Sequence, residues 1–380
     1  MSSPRHEQQF SLRRLILSSD GWPFLLVPFI PLAILLDVLG VSPVAIFFTS
    51  ALGVIPTAAL MGRATEELAA RSGPGIGGLL NVTFGNAPEL IIALFALQKG
   101  LHEVVKASLI GSVIGNILLV LGASMLAGGI GRDRQTFSRA AASAQSSMLL
   151  LAGAALIMPA IFELVEGKGL PLPGDERISY DSTVEHLSLA VAIVLIVSYA
   201  AGLLFSLKTH RGLFNPPGSH DEGEAHEAWS VRRSIGALAL AGVAVGVMSE
   251  ILVGSISEAT ESIGLTEFFV GAIVVAIVGN AAEHWVAVLV ARKDKMDLSV
   301  NIAIGSSAQI ALFVVPVLVL CSFFIGPNPL ALVFNGFELG AFLIAVIIAN
   351  HVTNEGESTW FEGVQLLAVY AVLALTFAFA

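Results

Sequence analysis

The chain has 380 residues, 55% of them hydrophobic and only 13% charged, with a formal net charge of -10. At a mean hydropathy of +0.84, too few charged groups remain to cover a water-facing surface, which excludes an ordinary soluble domain. The acidic excess is spread over loops and offers nothing to nucleic acid, and a single cysteine, Cys321, excludes a disulfide framework.

The N-terminus is polar, and no small-residue cleavage site follows its first apolar run, so no cleaved signal peptide is expected. Phe10 to Leu17 sets apolar groups beside two arginines. That pattern suits either a short interfacial helix or a basic flank to the first span. Span 1 is predicted at about Trp22–Leu39, with Pro23, Pro28 and Pro31 bending it. Span 2 follows at Pro43–Met61, then a short polar helix at Ala64–Arg71, then span 3 at Gly75–Leu97. Spans 4, 5 and 6 are expected near Glu103–Ala127, Phe137–Phe162 and Glu185–Leu207, with a polar loop between 5 and 6. After the break at 208–233, spans 7 to 11 are expected near Ser234–Ser257, Glu267–Ala291, Leu298–Ile325, Pro329–Asn350 and Trp360–Phe379. The fold class is therefore an all-α membrane protein of about eleven transmembrane helices, and the 37 glycines suit closely packed membrane helices.

Sidedness follows from Lys and Arg. With the N-terminus in the cytoplasm, 15 of the 19 fall on the cytoplasmic side. The C-terminus then lies on the opposite side.

Two stretches repeat one pattern. Gly85-Asn86-Ala87-Pro88-Glu89 and Gly279-Asn280-Ala281-Ala282-Glu283 each place one carboxylate within about 20 apolar residues, long enough to cross a bilayer. An ionisable group there is costly and marks a functional site by default. Ile110-Gly111-Ser112 follows the first and Ile304-Gly305-Ser306 the second, and both motifs recur at an offset of 194 residues. The expected organisation is a leader segment (1–42), a five-helix unit (43–207), an acidic linker (208–233) and a second five-helix unit (234–380). An odd number of spans inverts the second unit, so the matching motifs meet near the membrane midplane.

The paired GNAPEL and GNAAEH stretches, with SLIGSVIGNILLVLG and NIAIGSSAQIALFV behind them, resemble the two signature repeats of calcium/proton exchangers in the cation/calcium exchanger superfamily. The resemblance runs from about Arg63 to the stretch Asn354 to Gly363. It implies a secondary antiporter with calcium and protons as its partners, working in a lipid bilayer. It implies no cofactor and no enzymatic chemistry, and a homo-oligomer is compatible with it. The short N-terminus and modest central loop resemble bacterial members, which implies the inner membrane.

Calcium takes six to eight oxygens. Glu89 and Glu283 supply two charges, and neutral oxygens are expected from Asn86, Asn280, Ser112, Ser306, Gln309 and Asn116. Pro88 cannot donate to the carbonyl of Phe84, which leaves that oxygen available. The same two glutamates couple protons, because metal binding requires both deprotonated and protonation expels the metal. Ser112 and Ser306 could instead bond back to their own helices, and Asn116 could serve a helix contact. Glu250 and Glu338 also lie in apolar sequence where relatives carry acids. Both read as proton passage or a gate, with an interhelical hydrogen bond as an equal alternative, and Glu250 is assigned to proton coupling. His284 reads as packing, with tuning of Glu283 or a hydrogen bond to a neighbour as the alternative. The acids and histidines from His220 to Glu227 read as a solvated linker, with a metal sensor as the alternative.

Relatives tend to carry Val, Thr or Ala where this chain has Pro88, and a proline there resembles the sodium/calcium branch. Asn86 and Asn280 replace the hydroxyls with which that branch holds sodium. Proton coupling is therefore expected, with manganese or another divalent ion, or sodium coupling, as alternatives.

Overall fold

A computed structural model describes residues 21–174, 182–210 and 229–380. The interfacial segment Phe10–Leu17 and the cluster His220–Glu227 lie outside the described residues.

Among these residues nine helices are each long and apolar enough to cross a membrane. In chain order the helices are α1 (Trp22–Val38), α2 (Pro43–Ser72), α3 (Ile76–Gly85), α4 (Ala87–Gln98), α5 (His102–Gly129) and α6 (Arg139–Val165). They continue with α7 (Thr183–Thr209), α8 (Val231–Ile263), α9 (Glu267–Arg292), α10 (Met296–Ser322), α11 (Gly336–Glu355) and α12 (Trp360–Ala378). Helices α3 and α4 are bent by 42° and make a tenth span if counted together.

Differences from the sequence reading have local causes. The leader helix α1 is too short to pass as a span by itself. Its prolines confine the start to a 3₁₀ turn, Trp22–Leu26, before a ten-residue α-helix. The polar helix expected at Ala64–Arg71 is the continuation of α2, because nothing between Met61 and Ala64 breaks a helix. Beyond Ser72 the path is not straight, since Gly77 lies against the backbone of Ala69. Eight residues along a straight helix would separate them by about 12 Å. Helix α11 starts at Gly336, not Pro329, because Asn335 and Glu338 form a capping box. The preceding stretch, Leu330 to Asn335, is non-helical and buried. Its backbone is held by side chains: Leu330 N–H donates to Ser322 Oγ (2.8 Å) and Leu332 N–H to Ser188 Oγ (2.9 Å).

Loop contacts sort the helix ends onto two faces. On one, Gln135–Thr136 (β1) pairs antiparallel with Glu357–Ser358 (β2), Arg134 holds Glu357 at 2.8 Å and Arg132 reaches Asp294 at 3.4 Å. On the other, Lys106 Nζ donates to the Val333 carbonyl (2.9 Å) and Gly174 N–H to Glu103 Oε1 (2.6 Å). Helices α5, α10 and α11 therefore each run from one face to the other. Between the faces, large apolar residues such as Val197, Val243 and Leu240 point outward, 63%, 67% and 64% exposed. An outer surface of this kind suits lipid, and the chain is a multi-pass membrane protein.

The interior is packed through small residues. Gly122 and Gly363 bring α5 and α12 together so closely that a Cβ on Gly363 would lie 2.6 Å from the Gly122 carbonyl. Gly111 on α5 lies against the Ala272 carbonyl of α9. Both α5 and α10 carry a π-helical turn, at Gly115–Val120 and Ile310–Val314, just past the Gly-Ser elements of the two motifs.

Candidate ion site

The two carboxylates stand on unlike backbones. Glu89 is in the first turn of α4, directly after the break between α3 and α4 at Asn86. Pro88 fits that turn, where its missing N–H would have had no helical partner. The Phe84 carbonyl is not left free, contrary to the expectation from Pro88: the Asn86 N–H donates to it. Glu283 instead lies inside the unbroken α9. Ala282 replaces the proline there, so the helix continues.

Each glutamate packs against the glycine of the other motif. A Cβ placed on Gly279 would lie 3.4 Å from Glu89 Cγ and Oε1, and one on Gly85 would lie 3.7 Å from Glu283 Oε1. Neutral groups link the same helices. Asn86 Nδ2 donates to Gln309 Oε1 (2.6 Å), joining the α3–α4 break to α10. Ser306 Oγ on α10 donates to Glu283 Oε2 (3.1 Å). Asn280 Nδ2 donates to Ser112 Oγ (3.1 Å), joining α9 to α5, and also to the Ala276 carbonyl (3.0 Å). His284 Nε2 lies 3.0 Å from Asn116 Oδ1.

Glu89, Glu283, Asn86, Asn280, Ser112, Ser306, Gln309 and Asn116 are thus connected across four helices. Glu250 is exposed on α8 and forms no hydrogen bond or ion pair with them. Glu338 belongs to the α11 cap: its Oε2 accepts the Asn335 N–H and its own N–H donates to Asn335 Oδ1, both at 2.8 Å. His284 hydrogen-bonds within the cluster, which favours the alternative to packing.

Four polar atoms of the cluster are buried without a hydrogen-bond partner: the oxygens Asn86 Oδ1, Asn280 Oδ1 and Glu89 Oε2, and one nitrogen, Asn116 Nδ2. Orphaned acceptors are rare in folded proteins and call for an explanation; a cation supplies one. Room is present as well, since a Cβ on buried Gly115 would meet nothing within 4 Å. Among the described residues no three His, Cys, Asp or Glu side chains group as a metal site. A cation here would rest on two carboxylates plus amide and hydroxyl oxygens, a hard-donor set.

One acid that carries no assignment from the sequence, Glu66, is exposed on α2. Beside it Gly62 faces open space.

A helical membrane protein with paired intramembrane carboxylates and orphaned oxygens defines an ion-transport protein. The sodium/calcium exchanger protein family matches residues 42–208 and 233–379, and the chain belongs to that family. It is 45% identical over 369 residues to a Ca(2+)/H(+) antiporter of Aphanothece halophytica, covering 94% of this chain and 96% of that protein. It is 43% identical to the Ca(2+)/H(+) antiporter ChaA of Bacillus subtilis, with 92% and 96% covered. The fold matches the structure of native YfkE with a TM-score of 0.79 at 38% identity, covering 94% of this chain and all of that one. The H+/Ca2+ exchanger CAX shares the fold at a TM-score of 0.67 and 13% identity, with 96% and 93% covered.

Proposed function

We propose that the protein exchanges calcium for protons by alternating access at a site centred on Glu89 and Glu283. The observation that carries this reading is the reciprocal packing of each glutamate on the other motif's glycine, with three buried oxygens nearby lacking donors. Two carboxylates in a low-dielectric site cannot both stay charged and unpaired without a cost of several kcal/mol each. One divalent cation or two protons would each balance them. Occupants that exclude one another at a single site, reached in turn from each side, give antiport. Nothing in this cycle requires a covalent step or a resident cofactor; calcium is cargo.

The same reading includes eleven spans: a leader (1–42) and two inverted five-helix units (43–207 and 234–380) joined by the linker 208–233. The equal spacing of the motifs and the similarly placed π turns of α5 and α10 support the duplication. The bias of Lys and Arg supports a cytoplasmic N-terminus in an inner membrane. The ligands would be Glu89, Glu283, Asn86, Asn280, Ser112, Ser306, Gln309 and Asn116, with protons carried on the two glutamates. The isolated position of Glu250 leaves its assignment to proton coupling without support from geometry.

Calcium uptake into proteoliposomes under an imposed pH gradient tests the reading. Glu89→Gln and Glu283→Gln should each abolish exchange. Near-normal transport by either variant would sink the two-glutamate assignment.

A further inference from the structure

Trp229 is pinned between two helices where the chain enters α8. Its backbone N–H donates to Glu67 Oε2 of α2 at 2.9 Å. The Arg63 guanidinium, also from α2, lies 5.5 Å from the indole ring centroid, and that of Arg233, in the first turn of α8, lies 4.5 Å from it. A cation stacked on a ring engages one face and leaves its N–H edges pointing outward. Neither guanidinium has a hydrogen-bond acceptor or ion-pair partner among the described residues. The nearby acids do not fill this need. Glu67 accepts from Trp229, and Glu66 acts on Arg63 electrostatically without forming an ion pair.

The depth of the cluster is informative. Arg63 follows Pro43 by about 30 Å of helix, roughly the thickness of the hydrocarbon layer. On α8, the neighbours Val231 and Ile235 are 45% and 53% exposed and begin its outward apolar side, while Arg232 is exposed between them. The cluster therefore sits where an apolar surface meets polar loops. That is the level of lipid headgroups, where Trp and Arg anchor membrane helices.

We propose that Arg63, Trp229 and Arg233 form a binding site for the phosphate of an anionic phospholipid, bridging α2 and α8. Guanidinium forks match phosphate oxygens in pairs. Two like charges held around one ring are also relieved by an anion between them. The site is separate from the ion site and does not depend on which ions are carried.

The test uses the purified full-length chain, with intact-protein mass spectrometry to read lipid retained and thermal unfolding to read stability. The wild type should retain phosphatidylglycerol at least tenfold more tightly than phosphatidylcholine, with a raised unfolding midpoint. Arg63→Gln/Arg233→Gln should lose that preference while keeping its phosphatidylcholine binding. Arg233→Lys, which keeps the charge without the fork, should lose part of it. Should the double variant fail to fold, the single Arg233→Gln at an exposed position decides, and an unchanged preference there overturns the proposal. Equal retention of the two lipids by the wild type overturns it as well. Inorganic phosphate reproducing the midpoint rise and displacing phosphatidylglycerol would assign a free-anion site instead and overturn the lipid assignment.

Discussion

Glu89 lies in van der Waals contact range of Gly279: a Cβ added there would stand 3.4 Å from its Cγ and Oε1. The carboxylate of the first motif thus packs directly beside the glycine of the second. Gly279→Ala should fold, since 3.4 Å is an ordinary contact, but it takes room from the carboxylate and from anything bound to it. The apparent KM for calcium should rise by about tenfold, equivalent to ~1.4 kcal/mol. Gly85→Ala, whose Cβ would stand 3.7 Å from Glu283 Oε1, should have the smaller effect. Uptake measured against calcium concentration for both variants checks the order.

The neutral oxygens should matter less than the carboxylates. Asn86→Ala, Asn280→Ala, Ser306→Ala and Gln309→Ala should each raise the apparent KM while the protein stays folded, at about 1–3 kcal/mol for the partner left unsatisfied. Asn86→Ala and Gln309→Ala should resemble each other, because each removes one end of the same 2.6 Å hydrogen bond. Four variants with unchanged KM would remove these residues from the ligand set and leave the glutamates alone.

Glu66 should act at a distance. It is an exposed acid on α2 beside the open space at Gly62, so it adds to the negative potential that draws a divalent cation inward. Glu66→Gln should slow uptake severalfold at low calcium and low ionic strength, and the defect should shrink as salt is added. Maximal rate at saturating calcium should be nearly unchanged. A defect that persisted at high salt would show a different role.

Much of this arrangement could be read from the residues. The paired motifs, their spacing and most span positions follow from hydropathy and from acids in apolar sequence, because lipid penalises such acids strongly. Where the reading failed, local chemistry outweighed hydropathy. Asn335-Gly336-Phe337-Glu338 is a capping pattern written in the sequence, yet the apolar neighbours of Glu338 point instead to proton passage, a gate or an interhelical hydrogen bond. Pro88 suggested an unpaired Phe84 carbonyl, but the next available N–H, that of Asn86, took it. The contact of His284 with Asn116 depends on how α9 meets α5, and no local pattern encodes that. Glu250 shows the limit of reading depth from apolar context: a helix can carry an acid amid apolar residues and still turn it to an exposed face.

The central claim is that protons and calcium compete for Glu89 and Glu283, and the coupling ion tests it most directly. Calcium transport is measured in proteoliposomes in sodium-free buffer driven by a pH gradient alone, then with a sodium gradient at equal pH. Proton exchange predicts transport in the first arm, little in the second, and an apparent calcium affinity that falls as pH is lowered. Transport that ran on the sodium gradient and ignored pH would contradict it.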